Sequence, residues 1–246
     1  MLTAIGLVAL LVFLIALLPA RLVVGYTTHD IKGLTIGSVT GSVWDAQLRQ
    51  VNYRGITAPN VTWNLDFWPL LLGTVSAKVD AELAEGFARF EIDAGLSGET
   101  IQLSNVQAAM TLDTLATFYP AIPAGTADGD LMVNLASARF ENGKPVYLEG
   151  RAGLSKLTST WTGTRPLGSY EADISTENDV MQAIITDIDG PVKLIAKATL
   201  KPQGNWQVSG DIAARDSSDK TLQQAMQFLG PADARGMHQF SFSGQL

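Results

Sequence analysis

Residues 61–67 read Val61-Thr62-Trp63-Asn64-Leu65-Asp66-Phe67, a strict alternation of apolar and polar side chains. Successive side chains of a β-strand point to opposite faces, so this period of two predicts a strand with one apolar face. The same alternation recurs from about residue 34 onward, in the runs 75–83, 88–94, 131–135, 183–185, 194–200 and 238–246. Turn signals separate the runs, at Glu141-Asn142-Gly143, Asp189-Gly190-Pro191 and Pro202-Gln203-Gly204-Asn205. The sequence therefore predicts a mainly β protein, an antiparallel meander of about a dozen strands.

Only two short helices are predicted within this β-rich region. One lies near Asp113–Tyr119 and ends at Pro120. The other runs from about Lys220 to Leu229, with apolar residues at helical spacing. Ser217, Ser218 or Asp219 can cap its N-terminus, and Gly230-Pro231 stops it,. Two short helices cannot cover so many apolar strand faces. We expect these faces to pack on one another in a sandwich, or to curl into a partly open barrel or groove.

The N-terminal segment Leu2–Ala20 carries no charged side chain, and twelve of its nineteen residues are Leu, Ile, Val or Phe. Nineteen helical residues span roughly 28 Å, about the thickness of the bilayer core. A cleaved signal peptide is the alternative, but Leu18-Pro19-Ala20 places a bulky residue where a cleavage site needs a small one. The segment is predicted to be an uncleaved transmembrane anchor.

The predicted organisation is an anchor over residues 1–24, a linker over 25–33 and a β-rich domain over 34–246. Two glycine-rich starts, Gly37–Gly41 and Gly125–Gly129, suggest that the domain consists of two related halves, 34–122 and 123–246. The charges do not orient the anchor, because Arg21 is the first charged side chain and lies on the domain side,.

Composition and motifs argue against several classes of function. The net charge is −7 with no basic run, so an electrostatic footprint for nucleic acid is missing,. The chain has no cysteine and two histidines, His29 and His238, the latter expected to be structural. No nucleotide-binding glycine pattern or nucleophile elbow occurs, and the Asp187-to-Gly190 run lacks the further ligands of a calcium loop,. No enzyme activity, cofactor or metal is expected.

Several short motifs resemble the type II secretion system protein N family. At the start these are Gly41-Ser42-Val43-Trp44-Asp45-Ala46, then Val61, Trp63 and Leu65, then Leu70-Leu71-Leu72-Gly73. In the middle is Trp161 with Gly163, followed by Leu167-Gly168-Ser169-Tyr170. At the end are Gly230, Pro231, Asp233 and Gly236, followed by Gly244 before the final two residues. The resemblance departs at Ser42, at Ala46, at an extra Ala232, and in the lack of basic residues before the anchor.

The resemblance implies a single-pass inner-membrane protein with a cytoplasmic N-terminus and a periplasmic β domain. Such a protein would support export of folded proteins by contacting other secretion subunits, with no catalytic residues. Two alternatives stay open. One is an AsmA-like groove that binds or transfers lipid, which the shortage of covering helices favours. The other is an outer-membrane barrel, which suits alternating strands but leaves the N-terminal helix unexplained.

Overall fold

Thirteen strands in the described part of the chain form one antiparallel sheet, and each strand pairs with its neighbours in sequence. The structure is a computed structural model. It describes residues 13–29, 31–118, 125–160, 165–216 and 218–245. The strands are β1 (Leu34–Gly41), β2 (Asp45–Tyr53), β3 (Ile56–Asp66), β4 (Thr74–Leu83), β5 (Gly86–Gly95), β6 (Thr100–Thr111), β7 (Ala127–Glu141), β8 (Lys144–Ser159), β9 (Pro166–Glu177), β10 (Val180–Asp189), β11 (Val192–Leu200), β12 (Asn205–Ala214) and β13 (His238–Gln245). The helices are α1 (Ala20–Thr28), α2 (Phe67–Leu71), α3 (Leu112–Phe118) and α4 (Lys220–Gln227).

The predicted antiparallel meander is confirmed, and the sheet is open. Its order runs from β1 to β13 without a crossover, and these two edge strands do not pair with each other in the described residues. Of the predicted alternatives, a sandwich of two separate sheets is not what the described chain forms. The predicted boundary between two halves falls in the β6–β7 connection, yet β6 and β7 pair from Thr100 opposite Glu141 to Thr111 opposite Asp130. The sheet is thus continuous across that boundary.

Both predicted helices of the β-rich region are present, as α3 and α4. The side chain of Asp219, one of the three predicted N-terminal caps of α4, accepts a hydrogen bond from the Leu222 N–H at 3.2 Å,. The Asn142-Gly143 turn is also as predicted, with φ of 50° and 74°. Two positive φ values in a two-residue hairpin define the turn type whose twist matches the flanking strands.

Helix α2 was not predicted. The strand alternation of β3 ends at Asp66, and the chain then forms one helical turn before β4. Pro69 is the third residue of this turn, where its missing N–H costs no intrahelical hydrogen bond. The apolar–polar alternation of the sequence includes Phe67, but the strand itself ends at Asp66.

The N-terminal segment is interrupted by Pro19. Residues 13–16 are helical, residues 17–19 are not, and α1 starts at Ala20. Helix α1 lies against β1, with Ala20 and Val24 buried, so the predicted linker contains the last part of a packed helix. Residues 1–12 of the predicted anchor lie outside the described residues. In the part that is described, each helix is too short or too polar to cross a bilayer.

Candidate functional site

The hairpin between β1 and β2 has a tight tip formed by Gly41-Ser42-Val43-Trp44-Asp45. Gly41 has a φ of 89°, and a β-carbon there would collide with the carbonyl oxygen of Asp45. Only glycine fits that conformation and that approach without strain. The Ser42 N–H donates to the Asp45 carbonyl at 2.9 Å and closes the turn. The tip therefore projects Val43 and Trp44 beyond the end of the sheet.

These two residues hold the broken N-terminal helix. The indole N–H of Trp44 donates to the carbonyl oxygen of Ile15 at 2.9 Å, and the Val43 N–H donates to the carbonyl of Leu18 at 2.8 Å. In an uninterrupted helix the Ile15 carbonyl would accept from residue 19, but Pro19 has no N–H. A third residue of the tip, Ser42, forms an isolated antiparallel β-bridge with Pro19. The hairpin tip thus supplies donors that the helix break removed.

Strand β3 fixes the hairpin tip from behind. The indole N–H of Trp63 donates to the Val43 carbonyl at 2.9 Å, and the Leu65 N–H donates to the Trp44 carbonyl at 2.7 Å. The ring of Trp44 also meets Phe67 edge to face, with 5.3 Å between ring centroids. An apolar cavity of about 340 Å³ lies between these rings and Ile15. The motif at the β1–β2 tip and the motif on β3 are therefore in direct contact with each other.

One face of the sheet is apolar from edge to edge. Directly opposed residues of antiparallel strands place their side chains on the same face. Following those pairs from β1 to β13 gives an unbroken apolar row. Its members are Val39, Leu48, Val61, Ala81, Ala88, Ala108, Val133, Ala152, Ala172, Ile185, Ala196, Gly210 and Phe240. None of them is exposed in the structure, and Leu48, Ala108 and Ala196 are buried.

The adjacent row, on the other face, is polar at every strand except β10. Its members are Thr40, Gln47, Thr62, Asp80, Arg89, Gln107, Asn134, Arg151, Asp173, Ile184, Lys197, Ser209 and Ser241. Two neighbouring pairs in this row form ion pairs at 2.8 Å, Arg89 with Asp80 and Arg151 with Asp173. The sheet therefore has one apolar and one hydrophilic surface over its whole width.

The apolar face encloses a cavity of about 590 Å³ in the second half of the sheet. Its lining extends from Leu131 on β7 to Ile212 on β12, and α4 contributes Leu222 and Met226. In a flat sheet those two strands would lie roughly 24 Å apart, at about 4.8 Å per strand. Because both line one cavity, we infer that the sheet curves toward α4 there. The result is an open apolar groove that one short helix covers at its end.

Polar groups lie at the rim of this groove. Tyr170 is buried, its hydroxyl donates to the Leu167 carbonyl at 2.8 Å, and burial raises its pKa to about 12. Its register partner on β10 is Asp187, whose carboxylate accepts from the Leu194 N–H at 2.7 Å. Asp187 also forms an ion pair with Arg215, whose side chain is half exposed. In the described residues no three metal-binding side chains cluster together.

The segment between α4 and β13 forms a compact loop that returns the chain to the sheet. The Asp233 carboxylate accepts hydrogen bonds from the N–H groups of Arg235 and Met237 at 2.8 and 3.0 Å. Gly236 adopts a φ of 75° and donates to the Asp233 carbonyl at 2.9 Å. His238 is buried and its Nδ1 lies 2.7 Å from the Gly230 carbonyl oxygen, which confirms the predicted structural role.

A family model described as Type II secretion system (T2SS), protein N, matches residues 32–241. That range covers most of the chain and includes all thirteen strands except the end of β13. The chain belongs to the type II secretion system protein N family. No solved structure matches it.

Relatives carrying the name Type II secretion system protein N resemble the chain over nearly its full length. The protein from Pectobacterium carotovorum subsp. carotovorum is 24% identical, with 95% of this chain and 92% of the relative covered. The Aeromonas hydrophila protein is also 24% identical, with 100% and 98% covered. The protein from Vibrio cholerae serotype O1 is 24% identical, with 87% and 86% covered. The predicted family resemblance is therefore confirmed.

The structure brings together only part of the protein N signature. Gly41, Trp44, Asp45, Val61, Trp63 and Leu65 lie on β1, β2, β3 and the tip between them. Gly230, Pro231, Asp233 and Gly236 form the loop before β13, at the other edge of the sheet. Gly244 pairs with Trp206, and a β-carbon at Gly244 would press into that indole. Trp161 and Gly163 lie outside the described residues. The described signature residues therefore lie at two separate places, the β1–β2 tip with β3 and the loop before β13 with β13 itself.

Sequence reasoning missed the partners of the signature. Ile15 and Leu18 were assigned to a continuous anchor, yet their carbonyls accept from the hairpin tip. Pro19 was the available signal, since a proline leaves the carbonyl four residues earlier without its helical donor. The Asp187–Arg215 pair was also missed, because its members lie on different strands and only the fold brings them together.

Proposed function

We propose that this chain is a non-enzymatic inner-membrane component of the type II secretion system. In this proposal the N-terminal apolar segment crosses the inner membrane, and the β domain works in the periplasm by contacting other secretion subunits. Family membership supports the secretion role, and the uncharged segment up to Ala20 supports the anchor. The proposed anchor ends before α1, because Ala20 and Val24 are buried in the domain.

One observation carries the mechanism, namely the junction between the N-terminal segment and the hairpin tip. Hydrogen bonds from Val43 and Trp44 to that segment's main chain fix its direction relative to the sheet. A flexible linker would let the domain tumble, whereas this junction fixes the angle between the sheet and the N-terminal segment. A fixed orientation suits a subunit that acts by docking, since docking loses less freedom when the surface is already oriented.

The topology can be tested with single cysteines, because the chain contains none. Cysteine would replace Gln203, in the exposed β11–β12 connection, or Thr3, in the N-terminal segment. A membrane-impermeant maleimide applied to cells with a permeabilised outer membrane should label Gln203→Cys and leave Thr3→Cys unlabelled until lysis. Labelling of Thr3→Cys in intact spheroplasts would contradict the proposed orientation.

The role in secretion can be tested in a host deleted for this gene. Wild-type protein should restore export of a secreted enzyme, and affinity purification of the complementing protein should recover other secretion subunits. Normal export in the deletion strain, together with a purification free of secretion subunits, would refute the proposal. The loop variant Gln203→Cys serves as the control for a harmless surface change.

A second candidate function is binding of a lipid chain on the apolar face. The edge-to-edge apolar row and the cavity of about 590 Å³ favour it, since cavities of this size hold small apolar ligands,. Ala152 lies in the row and lines the cavity, whereas its neighbour Arg151 belongs to the polar row. Ala152→Trp would therefore fill the cavity, and Arg151→Trp would add the same group to the opposite face.

The test uses the full chain and a phospholipid carrying a photoactivatable acyl chain. Peptide mapping should place crosslinks on cavity residues such as Leu131 and Leu194, and Ala152→Trp should abolish them while Arg151→Trp keeps them. Crosslinks confined to residues 13–18 in all three proteins would report the bilayer alone, and the groove would then have no lipid role.

A further inference from the structure

Helix α2 and its surroundings present large apolar side chains to solvent. The exposed fractions are 75% for Trp68, 65% for Leu71, 86% for Leu72 and 67% for Leu96. No charged residue occurs from Phe67 to Gly73. We call Phe67, Trp68, Leu71, Leu72 and Leu96 the α2 patch. Scattered exposed leucines are ordinary on a protein surface, but five large apolar residues in one uncharged patch mark an interaction site.

The α2 patch lies at the end of the sheet from which the N-terminal segment departs. The β3–β4 connection that contains α2 and the β1–β2 tip are at the same end of their strands. Phe67 contacts the Trp44 ring, which in turn is bonded to Ile15. Leu96 joins through its N–H, which donates to the Gly73 carbonyl at 3.1 Å. The α2 patch is therefore continuous with the apolar N-terminal segment.

The chemistry of the patch fits a bilayer surface. Phe13, Leu14 and Leu17 of the N-terminal segment are exposed as well, and the residues that precede them carry no charge. The N-terminal segment is predicted to cross the bilayer. Because the α2 patch adjoins that segment, the bilayer is the apolar phase nearest to the patch. Tryptophan prefers the interface because its ring has an apolar body and a polar N–H. The exposed leucines beside Trp68 supply apolar area that insertion into the interface would bury,.

We propose that the α2 patch inserts into the lipid interface beside the N-terminal segment, so that the domain touches the membrane at two points. This inference rests on the proposed inner-membrane anchor. A membrane-crossing segment can tilt in the bilayer and carry the domain with it, whereas a second contact with the membrane limits that tilt. The apolar face and the polar face of the sheet would then have fixed directions relative to the membrane.

The test places one spin label at a time on the full chain in vesicles of phosphatidylethanolamine and phosphatidylglycerol. Leu72→Cys and Leu96→Cys report the α2 patch, and Leu14→Cys reports the N-terminal segment. Gln203→Cys is the matched control, since it lies in an exposed connection at the same end of the sheet but far from α2. Ala84→Cys, in the β4–β5 connection, reports the opposite end. Oxygen partitions into lipid and a nickel chelate stays in water, so their relative effects on each label measure depth.

Both α2 labels should show the high oxygen and low nickel accessibility of the Leu14 label, while the Gln203 and Ala84 labels show the reverse. If the α2 labels behave like the Gln203 label while the Leu14 label is in lipid, the α2 proposal fails and the anchor stands. If the Leu14 label is also in water, the anchor itself fails. Labels at α2 shielded from both reagents would indicate cover by a second copy of the chain, which also overturns the proposal.

Discussion

The indole N–H of Trp44 lies 2.9 Å from the carbonyl oxygen of Ile15, four residues before Pro19. Proline cannot donate the hydrogen bond that a continuous helix would give to that carbonyl. The Leu18 N–H donates to the same carbonyl at the longer distance of 3.3 Å, and the indole of Trp44 takes the place of the donor that residue 19 would supply in a continuous helix. This relationship explains physically why a tryptophan belongs at the hairpin tip, since phenylalanine would fill similar space without donating.

The change Trp44→Phe should loosen the junction without unfolding the sheet. It removes one hydrogen bond, which contributes about 1 kcal/mol, so exchange of the amides of residues 17, 18 and 20–22 should accelerate by about fivefold. Hydrogen–deuterium exchange with mass spectrometry measures this directly. Trp206→Phe makes the same substitution on β12, many strands away from the hairpin tip, and should leave exchange of that segment unchanged. Equal exchange in Trp44→Phe and wild type would show that the indole bond does not hold the segment.

The apolar row should tolerate charge far less than the row beside it. Ala108 is buried, whereas the adjacent Gln107 is exposed. Ala108→Asp places an unpaired carboxylate on the apolar face and should lower the free energy of unfolding by about 3 kcal/mol. Gln107→Asp should change the free energy of unfolding by less than about 0.5 kcal/mol. The lower strand propensity of Asp adds a further small loss. Urea unfolding followed by tryptophan fluorescence compares the two, and similar losses would mean that the two faces are not distinguished.

Asp233 should make the loop before β13 sensitive to acid. Hydrogen bonds from the Met237 N–H and from Arg235 hold the pKa of its carboxyl below the ordinary range. A depressed pKa adds stability that is present above the unfolded value, near pH 4, and is lost as pH falls through the folded value. Asp233→Asn should therefore be less stable than wild type at neutral pH. The difference in stability between the two proteins should become smaller below about pH 4.

Thermal unfolding of both proteins between pH 7 and pH 3 tests this expectation. Asp66→Asn, at an exposed position next to α2, controls for the loss of one negative charge. A gap between wild type and Asp233→Asn that stays constant with pH would show that the loop bonds do not depend on the charge of Asp233.

Tyr170 should make the groove sensitive to alkali. Burial raises its pKa to about 12, whereas an unfolded tyrosine ionises near 10,. A raised pKa gives stability that is complete below pH 10 and is lost as pH rises toward the folded value of about 12,. Tyr170→Phe also loses the bond to the Leu167 carbonyl, at about 1 kcal/mol. Its stability should therefore be lower at pH 8 and should fall less steeply above pH 10.

Ultraviolet titration checks the same residue independently. Wild type should show one tyrosine that ionises at about pH 12 and that disappears in Tyr170→Phe. If the spectra of the two proteins differ instead near pH 10, the ring of Tyr170 is not shielded from water as the structure places it.

Much of the fold followed from local pattern. Alternation predicted most of the strands, including β3, β4, β5 and β11, because side chains of a strand reach opposite faces at every second residue. Turn chemistry predicted the Asn142-Gly143 hairpin. The cap candidates Ser217, Ser218 and Asp219, together with Gly230, predicted where α4 begins and ends. Helix α2 was not predicted, because residues 61–67 keep the strand period of two up to its first residue. One helical turn is also too short to show a helical period.

The candidate site was only partly predictable. The signature residues around Trp44, Trp63 and Leu65 were identified, but not what they contact. The hydrogen bond of Trp44 reaches Ile15, 29 residues away in sequence, and no local period encodes such a pairing. The signature residues near the C-terminus, including Asp233 and Gly236, form a separate loop at the other edge of the sheet.

The sequence by itself determined an apolar face and a polar face on the strands that alternate clearly, and the meander order, because short turns between alternating runs leave antiparallel neighbours as the simple solution. Only the tertiary structure decided the register that aligns thirteen apolar positions into one row, since a slip of one residue would turn that strand's side chains to the opposite face,. It also decided that Trp44 meets Ile15. Register and long-range hydrogen bonds depend on the summed packing of many strands, and no single strand carries that information.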